Sequence, residues 1–243
     1  MKRVIVQTAA IAAVLAMLTA ILGACAAKKT ETDATAVPGA SEKAVDSNTQ
    51  QDAAIGTTDA ETALKKAQEL AAKYRENENP IAVIIMENGD PIVMELYEKT
   101  APQTVKNFIS LADSGFYDGL TFHRIDPDFM IQGGDPDGNG TGGPGYEIFG
   151  EFTKNGFQND LSHERGVVSM ARRTPPNTAG SQFFICVKDS AFLDGNYAAF
   201  GRVLEGMETV DAIANAEANG ETPVSPRVMQ LVRIAEQGEL HKG

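Results

Sequence analysis

Hydrophobic residues are spread along the chain in three regimes. Residues 4–24 are apolar almost without a break, interrupted only by Gln7, Thr8, Thr19 and Gly23. Over 26–58 large apolar residues are few and aromatic ones absent, and Ala, Thr, Ser, Asp and Gln dominate. From Asp59 onward the apolar positions become periodic. Leu64, Ala67, Leu70, Ala71 and Tyr74 recur at helical spacing behind a Thr58 or Asp59 cap, which predicts a short amphipathic helix, either docked on the domain or standing as a solvated spacer. Strands are predicted over 82–86 and 91–96, joined by Asn88-Gly89, a pair that tolerates the positive φ of a tight hairpin. Thr100 is expected to cap a helix with Pro102 in its first turn and Val105, Phe108, Ile109 and Ala112 as its stripe, stopped by Gly115. Within 122–125, alternation sets Phe122 and Arg124 on one face and His123 and Ile125 on the other. A turn at Pro127-Asp128 leads to a second short strand at 130–132. Further strands are predicted at 166–170, 183–187, 198–203 and 228–234, and a helix at 207–214 with Val210 and Ile213 inward. Short strands at even spacing with two helices predict a mainly-β fold, an antiparallel barrel with helical caps. Its expected bounds are 80–237, with a helical spacer at 59–79 in front and a tail at 238–243 behind.

Composition changes this picture at the N-terminus. The chain has 243 residues, 42% of them hydrophobic, and a net charge of −12. That suits one globular domain with appendages and lacks the basic footprint of a nucleic-acid binder. Lys2 and Arg3 before the apolar run read as an export signal over 1–24. The run ends in Leu22-Gly23-Ala24-Cys25, which resembles the bacterial lipobox, whose Cys is lipidated and becomes the first residue of the mature chain. The rival is an uncleaved membrane span. Either way the body is expected outside the cytoplasm at a membrane face, joined through residues 25–58, whose composition predicts a disordered tether. With Cys25 lipidated, Cys186 has no disulfide partner, and its apolar surroundings predict a buried, inert thiol.

Candidate chemistry concentrates in 122–135, FHRIDPDFMIQGGD. One cationic fork, Arg124, and one amide, Gln132, stand among Phe122, Ile125, Phe129, Met130 and Ile131, the composition of a small-ligand pocket. The alternative is a surface charge on an edge strand. Glycine fills more than half of 133–145, so this is a loop. No Gly-Lys-Ser/Thr follows it, so a phosphate cradle is unsupported. Asp135, Asp137, Asn139 and Gly140 echo a calcium loop, but Tyr146 occupies the twelfth position, where an acid is needed. A turn covering one end of the barrel is the expected role. His123 is expected to be a packed or hydrogen-bonded core residue; His163 and His241 lie isolated, without metal-ligand spacing. Ser181 is not in a Gly-x-Ser-x-Gly elbow, and Asp194-Gly195 reads as a turn. Neither metal nor cofactor is expected.

With FHRIDPDFMIQGGD, the blocks SMARRTPPNTAGSQFFI (169–185) and FLDGNYAAFGRV (192–203) resemble the signature segments of cyclophilins, in family order and spacing. The resemblance spans about 80–236. It implies a closed eight-stranded antiparallel barrel capped by two helices and peptidyl-prolyl cis-trans isomerase activity on proline-containing, unfolded or flexible segments. It further implies Arg124 as the catalytic arginine, assisted by Gln132. Phe129, Met130, Phe184 and Leu193 would form the proline pocket, with Gln182 beside Gln132 on its polar rim. Ala171 and the backbone of Arg172 would hold the substrate peptide. Phe192 and Tyr197 depart from the Trp and His of many members, which argues for weak or no cyclosporin binding. The stretch from Arg172 to Pro176 is one residue longer than the usual pattern, so Arg173 and Thr174 carry over poorly. The competing readings are a proline-recognising module without catalysis and a solute-binding lipoprotein, for which the domain is small.

Overall fold

The computed structural model describes residues 59–74, 76–236 and 239–240. The expected signal segment, Cys25 and the tether lie outside these residues, as does most of the tail. In chain order the elements are α1 (Ala60–Lys73), β1 (Ile81–Met86), β2 (Pro91–Leu96), α2 (Pro102–Asp113), β3 (Phe122–Ile125), β4 (Met130–Gly133), β5 (Val167–Met170), β6 (Phe183–Cys186), β7 (Ala199–Glu205), α3 (Met207–Ala214), β8 (Ala218–Asn219), β9 (Thr222–Pro223), β10 (Met229–Glu236) and β11 (Glu239–Leu240). Short 3₁₀ turns occupy Thr153–Asn155 and Ala191–Leu193.

Eight strands pair antiparallel in the order β10-β1-β2-β7-β5-β6-β4-β3, with β11 added beside β10. Register shifts at Ile85/Met86, Val93/Met94, Phe122/Arg124 and Val168/Ser169 bend the strands and curl the sheet. The outermost strands β3 and β10 do not form a ladder. They meet through one bridge, Thr121 with Val228, and through backbone hydrogen bonds that link Gly119, Leu120 and Phe122 to Met229 and Arg227. The sheet is therefore a strongly curled half-barrel rather than the fully laddered, closed barrel that the resemblance implies.

Its interior is filled by Phe108, Tyr117, Phe122, Phe183 and Phe200 among apolar residues of β1 to β7 and β10. Phe108 lies at the centre, 4.9 Å from Tyr117, 5.4 Å from Phe183 and 5.5 Å from Phe200 between ring centroids. The helices α2 and α3 insert Val105, Phe108, Leu111 and Ala112, and Val210, Ile213 and Ala214, into this same cluster. Thr100 is not the cap of α2. The N-cap is Ala101, which has no capping side chain, and the buried carboxylate of Glu151 accepts from Gln103 N, Thr104 N and Thr104 Oγ1 instead. A distant acid thus serves the positive end of the helix.

The helix α1 is docked. Asp59 caps it by accepting from Thr62 N, and Ala63, Ala67, Leu70 and Ala71 pack on Ile81, Val83, Ile85, Val93, Leu231 and Ala235 on the outer face of the sheet. This explains why β1 is apolar at every position: alternate residues face the barrel interior and α1. The buried stripe uses Ala63, while Leu64 is exposed.

Candidate active site

The site is built on one cross-strand row. Arg124 on β3 pairs with Gln132 on β4, Gln132 with Phe184 on β6, and Phe184 with Ser169 on β5. Side chains opposite one another on a sheet share a face. Here it is the outer face, since Ile131, Phe183 and Ile185 take the interior. Met130, Phe184, Cys186 and Leu193 form a small outer cluster, with Phe129, Ala171 and Tyr197 packed against it. Arg124, Gln132, Phe129, Met130, Ala171, Arg172, Phe184, Leu193 and Tyr197 all line one cavity of about 460 Å³. Gln182 joins them through its amide. Phe192 stands at the rim, 71% exposed, with its ring 5.4 Å from that of Phe129.

The alternation expected within β3 does not hold. Phe122 and Ile125 both face the core, while His123 and Arg124 both line the cavity. The cause is the register shift between Phe122 and Arg124, which makes His123 a bulged residue and reverses the side Arg124 faces. His123 is accordingly not a hydrogen-bonded core histidine. Its ring nitrogens are shielded and make no well-formed hydrogen bond among the described residues; burial pushes its pKa down, partly offset by Asp135 and by the Thr121 backbone.

A polar chain runs along the rim. Arg124 Nη1 donates to Gln132 Oε1 at 3.3 Å, Gln132 Nε2 to Gln182 Oε1 at 2.8 Å, and Gln182 Nε2 to the Gly142 carbonyl at 2.9 Å. Arg124 Nε and Nη2 donate to Glu221 Oε2 and Oε1 at 2.8 and 2.9 Å. These bonds raise the arginine's pKa and hold the Glu221 carboxyl below its usual range. Arg172 acts otherwise. Its guanidinium donates to the Asn196 carbonyl and lies 4.6 Å from the Tyr197 ring centroid and 5.0 Å from that of Phe152, so it braces the cavity wall. Arg173 pairs with Glu147.

Three further features were not read from the sequence. His163 is buried directly behind Phe184, their rings stacked with centroids 6.1 Å apart. Its Nδ1 meets Asp194 Oδ1 at 2.8 Å and its Nε2 meets Ser169 Oγ at 2.9 Å. Ser169 is fully buried, so this Ser–His–Asp chain has no access to a substrate and supports the pocket floor. Asp194 is therefore more than a turn residue. Asp135 accepts backbone N–H bonds from Asp137, Asn139 and Gly140 and thereby folds the glycine loop over the cavity edge. Its carboxylate is engaged by the backbone, and among the described residues no group of acidic, His or Cys side chains is placed to hold a metal. Glu221 belongs to the β8–β9 hairpin, whose two-residue strands leave no periodic signal. Cys186 is buried and its thiol is pushed up to about 12 by burial, as the expected inert role requires.

This arrangement is a cavity on the outer face of a half-barrel, with an apolar wall and with one arginine and a pair of amides at its rim. Residues 82–237 match the model of the family described as Cyclophilin type peptidyl-prolyl cis-trans isomerase/CLD, and the chain belongs to this family of isomerases. It is 46% identical to peptidyl-prolyl cis-trans isomerase B of Bacillus subtilis over 140 residues, which is 58% of this chain and 94% of that protein. It is 44% identical to a peptidyl-prolyl cis-trans isomerase of Helicobacter pylori over 135 residues, 55% of this chain and 80% of that one. Among solved structures, a cyclophilin-type isomerase of Cryptosporidium parvum crystallised in the presence of the dipeptide Ala-Pro is similar with a TM-score of 0.57 and 34% identity. That match covers 63% of this chain and 96% of the other.

Proposed function

We propose that the chain is an exported, lipid-anchored isomerase that turns X-Pro bonds in proline-containing, unfolded or flexible protein segments, with Arg124 as its catalytic residue and no cofactor. The observation that carries the mechanism is a guanidinium held at the rim of a cavity whose apolar wall of Phe129, Met130, Phe184 and Leu193 can take a proline ring, with room beside it for the flanking peptide. The Cryptosporidium parvum relative, crystallised with Ala-Pro, supports the choice of ligand.

A peptide bond resists rotation because resonance gives it double-bond character, with a barrier of ~18–20 kcal/mol. An uncatalysed prolyl bond takes tens of seconds. Bringing that to milliseconds needs about 10⁴-fold, or roughly 5.5 kcal/mol. No bond to a heavy atom breaks, so what matters is tighter binding of the twisted state than of either planar one. In the twisted state the prolyl nitrogen becomes pyramidal and gains a lone pair, to which Arg124 donates. In a pocket lined by Phe129, Met130, Phe184 and Leu193 such a bond is worth more than in water. That wall holds the ring while the acyl side turns. Gln132, bonded to Arg124 and Gln182, orients the guanidinium or meets the rotating carbonyl, and Ala171 and the backbone of Arg172 hold the flanking peptide. Phe192 offers a ring at the rim but no indole N–H, so cyclosporin binding is weak or absent.

The test is the isomerisation rate of a short X-Pro peptide. Arg124→Ala is expected to lower kcat/KM at least tenfold with the melting temperature preserved; wild-type activity in that variant would overturn the arginine's role. The anchor is tested by fatty-acid labelling in cells. Label on the wild type that is lost in Cys25→Ser is expected, and an unlabelled wild type would overturn lipidation.

A further inference from the structure

We infer that Glu221 is a positioning residue for the isomerisation, holding the Arg124 guanidinium in the orientation from which it addresses the prolyl nitrogen; this rests on the reading of Arg124 given above. Three observations support it. The first is the geometry of the pair. Glu221 takes the Nε and Nη2 edge of Arg124 at 2.8 and 2.9 Å, while Gln132 takes Nη1 at 3.3 Å. A guanidinium has five N–H donors in one plane. This pattern occupies three and leaves one on each terminal nitrogen, so Glu221 fixes the plane without using up the donors.

The second is how rigidly Glu221 is delivered. It sits at the tip of the β8–β9 hairpin beside Gly220, whose φ of +65° suits a two-residue turn. Ile125 N donates to the Glu221 carbonyl at 2.7 Å, so the backbone of the hairpin is pinned to β3 at the residue after Arg124. The third is what Arg124 lacks without it. The side chain is 39% exposed; among the described residues its other neighbours are Gln132, through one long bond, the Phe129 ring, 6.0 Å from the guanidinium carbon, and the charges of Asp126 and Tyr197 at longer range. A long, half-solvated side chain held by these alone would sample other rotamers and have to be ordered in each catalytic cycle. Glu221 itself is 49% exposed, so its removal is not a core lesion.

The experiment is a double-mutant cycle on the isomerisation of a short X-Pro peptide, using wild type, Glu221→Ala, Glu221→Gln, Arg124→Ala and Glu221→Ala/Arg124→Ala. Glu221→Ala is expected to lower kcat roughly tenfold with KM within about twofold, and Glu221→Gln, which keeps one acceptor and the shape, to fall between. In the Arg124→Ala background the Glu221 change is expected to cost nothing further. A rise in kcat would show that Glu221 competes for the arginine and overturn the inference, as would a loss confined to KM or an equal loss in both backgrounds. A slow Arg124→Ala beside a fully active Glu221→Ala overturns the positioning role alone. Wild-type activity in Arg124→Ala overturns the reading beneath it.

Discussion

Behind the pocket floor, His163 links the stability of this region to pH. Burial lowers its pKa, and the bond and charge of Asp194 only partly offset that. The folded protein therefore keeps His163 neutral where the unfolded chain, near 6.5, takes up a proton. Because the unfolded state then binds more protons, stability is fully present above about 6.5 and is lost as pH falls below it. His123 has a lowered pKa and adds a slope of the same sign. Urea denaturation is expected to show stability falling between about pH 7 and pH 5, with a shallower slope in His163→Gln; an unchanged slope in that variant would exclude His163 as its source. A second residue is fixed by backbone geometry. Gly134 has φ +81°, and a Cβ there would meet the Ser181 carbonyl at 2.5 Å. Gly134→Ala is expected to cost at least about 2 kcal/mol by thermal denaturation, and a loss under about 0.5 would contradict this. Residue types at the pocket were legible in the sequence, since Arg124, Phe129, Met130, Gln132 and Phe184 lie in signature blocks. The partners of His163 were not, because Ser169 and Asp194 come from distant segments and no local spacing links them.

Among elements, strands with strong apolar runs and helices with regular stripes were legible in the sequence to within a residue or two, as at β1, β2 and α3. The β8–β9 hairpin was not, because two-residue strands of Ala, Asn, Thr and Pro have no period, and Glu221 stayed hidden with it. The bulge at His123 was missed for a related reason: strict alternation assumes a regular ladder, and the extra residue is set by pairing with β4. The start of α2 was located to within one residue, but its cap was not. A carboxylate about fifty positions further on competes with Thr100 only once the chain is folded. Glu151→Gln keeps an acceptor but loses the charge and gains an unmatched donor. It is expected to lower stability by about 1–3 kcal/mol. Hydrogen exchange at Gln103 and Thr104 would report it, and unchanged protection there would contradict the capping role.

For the molecule as a whole, α1 is part of the domain rather than a spacer. It covers the outer apolar residues of β1, β2 and β10, so the stretch before the matched family region contributes to stability. Leu70→Ala on its buried face is expected to cost about 2–5 kcal/mol, and a melting temperature unchanged by that substitution would show that the helix does not hold the sheet in solution. The half-barrel places strands on both sides of the pocket, and the proposed function requires that Arg124 favour the twisted state over the planar ones. The most direct measurement is nuclear magnetic resonance on a single X-Pro peptide titrated with wild type and with Arg124→Ala, reading affinity and cis–trans exchange from the same samples. The proposed mechanism requires affinity to change less than about threefold while enzyme-catalysed exchange falls at least tenfold. Exchange and affinity falling together, or exchange that persists without the guanidinium, would contradict it.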